Sequence, residues 1–148
     1  MEYETIFNYF LSRIQDRSLL GLSETDYSEK LIDYLTAALS YPEVRNIFVE
    51  VSRDDDAETL TYTLVSPIDE NADSRFVLDV LTRGMVVAWM GEHLDADYYL
   101  ALAIGGKEEK MLKNDLKTNH ERYDYLKRDL QKTISRHGYY TGSFALWL

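Results

Sequence analysis

A mainly α fold is predicted for this chain: a helical bundle with a β-hairpin insertion and an extended C-terminal tail. Three features predict it. Apolar residues recur every three or four positions over residues 4–39 and again over 107–136. They alternate at every second position in two short runs between 47 and 64. They occupy almost every face of residues 76–90.

The first helix is expected over residues 4–17, where Ile6, Phe7, Phe10, Leu11 and Ile14 share one face. Gly21 suits a turn after it. Ser23-Glu-Thr-Asp26 has the form of a capping box with Asp in place of Glu. It opens a second helix whose apolar set is Tyr27, Leu31, Tyr34, Leu35, Ala38 and Leu39. Pro42 disfavours helical geometry at Tyr41 and ends that helix.

Ile47, Val49 and Val51, then Leu60, Tyr62 and Leu64, alternate around the polar stretch Arg53-Asp-Asp-Asp-Ala-Glu58. This predicts a β-hairpin over about 46–65, with Asp54, Asp55 and Asp56 as an exposed acidic tip. Pro67–Asp73 reads as a polar connector. A core helix is expected from about Ser74 to near Leu94, with Trp89 among its core residues. Tyr98–Ile104 fits a strand or a short helix, and Gly105-Gly106 breaks the chain.

Residues 107–136 form the longest expected helix. Leu116, Tyr123 and Leu130 are seven apart, and Leu112, Asn119, Leu126 and Thr133 make a second row. The stripe approaches a coiled-coil seam, but Asn119 and Thr133 favour docking on the body over a self-paired dimer. The helical domain is thus 1–136. Residues 137–148 form a tail hinged at Gly138 and Gly142. Tyr139, Tyr140, Phe144, Leu146, Trp147 and Leu148 crowd it with large apolar groups, which must bury against this domain or another chain.

Charge is segregated along the chain. The formal net charge is −10, yet residues 1–106 hold 7 Lys/Arg against 20 Asp/Glu, while 107–148 hold 9 against 6. An acidic body argues against general nucleic-acid binding, and opposite signs on two parts suit head-to-tail contact between copies. Lys113, Lys117, Arg122, Lys127 and Arg128 on the last helix are candidate inter-subunit contacts. With no cysteine, no signal-type N-terminus and no apolar run of membrane-spanning length, a protein made in the cytoplasm, with no membrane association, is expected.

No catalytic or metal-binding residues are assigned, and no cofactor is expected. His93, His120 and His137 are scattered. Glu92-His93 with Asp95 and Asp97 reads as the exposed end of a core helix. Asp54-Asp-Asp56 with Glu58 lacks the alternating frame of a calcium loop. Gly105-Gly106-Lys107 lacks the rest of a phosphate-binding loop and reads as a hinge. No Gly-x-Ser-x-Gly elbow is present.

Several ordered features resemble one group. They are Phe10-Leu-Ser-Arg-Ile14 on the first helix, Leu22-Ser-Glu-Thr-Asp26 opening a second that contains Leu35-Thr-Ala-Ala38, and an acidic β-like insert. Phe76 then leads into Leu81-Thr-Arg-Gly-Met-Val-Val-Ala-Trp-Met90, and a long charged helix carries Tyr123. Together they resemble the small neck proteins of tailed bacteriophages, the head–tail connector or adaptor group, over most of residues 5–135. Gly84 and Gly91 depart from the pattern, standing inside the core helix where better helix formers are expected.

The resemblance implies a non-enzymatic virion protein at the head–tail interface, a homo-oligomer forming a ring of twelve between the portal protein and the next neck or tail protein. DNA would pass through its channel without sequence-specific binding. The tail residues would then contact portal or a neighbouring subunit. A different reading is a small acidic interaction or inhibitor protein, a nucleic-acid mimic acting on a host factor. A third is an enzyme with a carboxylate-held metal.

Overall fold

The computed structural model describes residues 1–14, 19, 21–104 and 106–142. It is mostly helical with one two-stranded antiparallel hairpin. In chain order the described elements are α1 (Tyr3–Leu11), α2 (Glu24–Ser40), α3 (Pro42–Arg45), β1 (Phe48–Asp54), β2 (Thr59–Leu64), α4 (Glu70–Ile104) and α5 (Gly106–Thr141).

Local chemistry sets the first boundaries. The α1 helix stops at Leu11, short of the expected residue 17. The Ser12 hydroxyl donates to the Tyr9 carbonyl at 2.7 Å, and Arg13 turns onto Asp79 of α4 at 2.8 Å. At the start of α2, Ser23 Oγ accepts from the Asp26 amide at 3.2 Å, as the capping pattern requires. Tyr41 is extended (ψ 129°), and Pro42 opens the single-turn α3, where its missing N–H costs nothing.

In the hairpin, Leu60 and Leu64 of β2 face the core as expected, but the alternation on β1 does not hold. The pairing slips between Phe48 and Glu50, which forms a bulge. Ile47 and Phe48 are both buried, and Val49 is turned out, 64% exposed. The first residues extend the sheet. Glu2 bridges Thr59, the Tyr3 amide donates to the Glu58 carbonyl, and the Leu60 amide donates to Met1.

The core helix is longer than expected at both ends. Asp69 Oδ1 accepts from the Ala72 amide and Asp73 Oδ1 from the Ile68 amide, both at 2.8 Å. This cap starts α4 at Glu70 inside the supposed connector. The helix does not stop near Leu94. It runs through Asp95-Ala-Asp97, and Tyr98–Ile104 is helical. At 35 residues it is about 52 Å long.

The chain reverses after Ile104. Gly106 takes φ +74°, a left-handed value that favours glycine, and α5 returns antiparallel to α4. Contacts pair outward from this reversal: Ala101 shares a cluster with Leu116, Gly91 faces Tyr123, Arg83 meets Asp129, and Phe76 meets His137. The two heptad rows of α5 are its inward face, with Leu116 buried and Leu130 fully so, and the stripe docks on the body as expected. The helix also passes the expected end at residue 136 and reaches Thr141. Gly138 is therefore inside the helix and not a hinge.

The α4 helix is the hub of the fold, in contact with α1, α2, α3 and α5. Its buried side chains Val77, Val80, Leu81, Met85 and Val87 fill the centre with Tyr3, Ile6, Phe10, Leu31 and Leu35. Each such side chain is worth roughly 1.5–3 kcal/mol in burial. Phe10 and Tyr34 meet ring to ring at 5.7 Å between α1 and α2.

Candidate interaction surfaces

Among the described residues no three His, Asp or Glu side chains stand together as metal ligands would. Glu92 and His93, singled out by spacing, have other partners. Glu92 pairs with Lys30 of α2, and His93 Nδ1 meets the carbonyl of Trp89 at 3.0 Å. Burial pushes the Glu92 carboxyl up, but hydrogen bonds from Lys30 and Tyr34 outweigh that and hold it below the usual carboxylate range. Four surface features remain.

The first is an arm. Beyond the body, Met90, Leu94, Ala101 and Leu116 form a second small core, bordered by Trp89, Leu112, Tyr123 and Leu126, all from α4 and α5. Two helices can bury only their mutual faces. Tyr98, Tyr99, Leu100, Leu102, Ile104 and Met111 are left at the surface, with Tyr99 71% and Met111 69% exposed. Their density along one short stretch makes the arm a candidate interaction surface. Sequence reading left Tyr98–Ile104 undecided because a short apolar run has no period of its own.

The second is the hairpin tip. Asp54, Asp55 and Asp56 are exposed, as expected, but the tip is tightly built. Asp54 Oδ1 accepts from the amides of Asp56 and Ala57 at 3.1 and 3.0 Å. Asp55 accepts from the Tyr3 hydroxyl at 2.5 Å. The N-terminal pairing brings Glu2 beside Asp54–Asp56 and Glu58, an exposed acidic end that the separate runs did not announce.

The third is the outer face of α5. Lys113, Lys117, Arg122, Lys127 and Arg128 are all exposed. Lys127 lies over the Tyr123 ring at 4.8 Å, and Arg128 donates to the Asp124 carbonyl.

The fourth is a groove of about 380 Å³ at the C-terminal end of α5, lined by Ile47, Val65, Phe76, Ile134, His137 and Gly138 among others. His137 stacks flat on Phe76, with centroids 3.7 Å apart and planes 8° from parallel. His137 Nε2 donates to the Ser66 carbonyl at 2.9 Å. Together these tie α5 to the β2–α4 connector. Tyr139 and Tyr140 are 74% and 80% exposed on the last turn of α5. Phe144, Leu146, Trp147 and Leu148 lie outside the described residues.

No protein-family model, no curated protein and no solved structure matches the chain. No helix is long and apolar enough to cross a membrane among the described residues.

Proposed function

We propose that the chain is a structural subunit of a phage neck, a head–tail connector (adaptor or head completion) protein. It works by assembly and not by catalysis. It forms a ring between portal and tail in the virion, and DNA passes through its channel. The sequence resemblance supplies the biological setting. The observation that carries the assembly reading is the arm, where Tyr98, Tyr99, Leu100, Leu102, Ile104 and Met111 stand exposed on a two-helix scaffold. A ring subunit needs unlike faces that meet. The apolar arm, the basic outer stripe of α5 and the acidic hairpin end provide faces of different chemistry. Tyr139 and Tyr140 add an aromatic contact for portal or a neighbouring subunit.

Electron microscopy of the chain mixed with its portal protein tests the proposal. Rings seated on the portal are expected, and Tyr99→Ser with Leu102→Ser should remove them while leaving the helical circular dichroism intact. Portal particles without added density, in mixtures that hold folded protein, would sink the reading.

The acidic end made by Glu2, Asp54, Asp55, Asp56 and Glu58 favours a second reading, a small acidic interaction or inhibitor protein that presents carboxylates to a host factor's nucleic-acid site. Capture of a host nuclease or polymerase, lost on Asp54→Asn with Asp56→Asn, would support it over the neck role.

A further inference from the structure

Residues 98–104 of α4 are seven consecutive apolar residues, and only Ala101 among them is buried. A helix that is apolar all round belongs where every side is covered. Here Ala101 packs with Leu116 of α5, on one side alone. Tyr99 stands about 200° round the helix from Ala101, on the side away from α5. Tyr98 with Leu102, and Leu100 with Ile104, are each four apart and flank it. A tyrosine side chain has about 150–250 Å² to bury. With Tyr98 53% and Tyr99 71% exposed, and Leu100, Leu102 and Ile104 beside them, the patch supplies a large part of the ~800 Å² that each partner gives to a stable complex.

Charge selects the partner. Residues 94–118 hold 4 Lys against 5 Asp/Glu, so the rest of the chain carries nearly all of the net charge of −10. Two copies of so acidic a chain meet with least repulsion at their arms. The arm's own charges are segregated as well. Its α4 side carries Asp95 and Asp97 and no Lys or Arg, whereas α5 begins with Lys107, Lys110, Lys113 and Lys117 among three carboxylates. The alignment of α4 with α5 at Phe76–His137, Arg83–Asp129 and Gly91–Tyr123, carried on toward the reversal, sets Lys110 level with Ala103. Antiparallel arms centred on Tyr99 therefore bring Asp95 of each copy beside the partner's Lys110. Parallel arms would set Asp95 against Asp95. Asp95 and Lys110 are exposed, and neither is in an ion pair among the described residues. The arm is thus complementary to itself under a two-fold axis, as a closed dimer requires.

We propose that the arms of two copies pair antiparallel about a two-fold axis near Tyr99, so that the exposed face of α4 is covered by the same face of a second copy. This inference concerns the free subunit and does not rest on the neck reading. A paired arm is closed to other partners until the two copies part.

Sedimentation velocity of the chain alone should show a dimer at micromolar concentrations. Tyr99→Ser with Leu102→Ser should return a monomer with unchanged helical circular dichroism. Asp95→Lys alone and Lys110→Asp alone should each weaken the dimer about tenfold, because the contact occurs twice and becomes a like-charge pair. The double swap Asp95→Lys with Lys110→Asp should restore it. A monomer in the parent chain, an assembly larger than a dimer, or a double swap no tighter than the single variants each overturns the proposal.

Orientation has its own test. The chain contains no cysteine, and Ala96 and Ala103 are both exposed. In the antiparallel pair Ala96 of one copy is nearly level with Ala103 of the other, while two Ala96 positions are about 9 Å apart along the axis and two Ala103 positions about 12 Å. A disulfide needs Cα atoms within about 7 Å. Ala96→Cys chains mixed with Ala103→Cys chains should therefore oxidise mainly to the mixed disulfide. Like-with-like disulfides in excess would mean parallel arms and overturn the proposal. Both experiments use the chain alone, so their outcome stands apart from that of the portal mixture.

Discussion

Gly84 of α4 meets Ala38 of α2 so closely that a Cβ on Gly84 would stand 2.9 Å from the Ala38 Cβ and 3.3 Å from its Cα. The glycine that looked out of place in a core helix is the point where two helices cross. Both neighbouring atoms are stiff, so a methyl group cannot be accommodated by a side-chain turn. Gly91 differs, since a Cβ there would meet the Tyr123 ring at 3.5–3.7 Å, an ordinary contact. Alanine gains about 1 kcal/mol over glycine in helix propensity, whereas overpacking costs about 1–3 kcal/mol. Gly84→Ala should therefore lower stability and Gly91→Ala should raise it slightly. Urea denaturation of the two variants checks the opposite signs.

Arg83 pairs with Asp79 and with Asp129, and Asp79 also receives Arg13. This network joins the turn after α1 to α4 and α5 at partly exposed positions. Arg83→Ala should cost about 1–2 kcal/mol, more than an isolated surface pair. A double-mutant cycle with Asp129→Ala should return a coupling of about 1 kcal/mol that shrinks in high salt. Strict additivity would show that the pair contributes nothing.

Tyr3 is wholly buried and donates to Asp55. Burial first, and then the bond to Asp55, drive its phenol pKa well above the usual value. The unfolded chain loses this proton near pH 10 while the folded chain retains it. Stability from this group is complete below about pH 10 and declines as pH rises beyond that. Tyr3→Phe should flatten the alkaline limb of a stability–pH curve. It should also cost about 1.5–3 kcal/mol at neutral pH through the lost charged hydrogen bond.

Glu92 has the opposite sign. Its carboxyl is held low by Lys30 and Tyr34 despite burial, so its contribution is present above the ordinary carboxylate range of about 4.3. It is lost as pH falls through the lowered value. The pair is largely solvated, and Glu92→Gln should cost no more than about 1 kcal/mol at pH 7. The difference between variant and parent should vanish in acid titrations of thermal unfolding.

His137→Ala removes both the stack on Phe76 and the hydrogen bond to Ser66. A loss of about 1–3 kcal/mol is expected. Faster amide exchange should appear in the last turns of α5, with the β-hairpin unaffected. Uniform exchange changes throughout the chain would argue against a local tie.

Residue order alone carried the fold class, the Ser23 cap, the break at Pro42, the inward set of α2 and the docked stripe of α5. Each rests on short-range geometry that repeats within one or two turns, so the chain itself contains the signal. The same holds for the acidic tip, where adjacent aspartates repel burial. What remained out of sight depends on partners distant in sequence. The α4 helix continues past Leu94 because α5 returns to pack on Ala101. Val49 turns out because Phe48 pairs with Leu64 across a bulge. The acidic end needs residues 1–3 to add to the hairpin, and the groove needs α5 beside the β2–α4 connector. Local periodicity determined which faces of each element are apolar. Only the packing of α5 and the N-terminus onto the body decided which of those faces are covered, because burial is a property of pairs of elements and not of one.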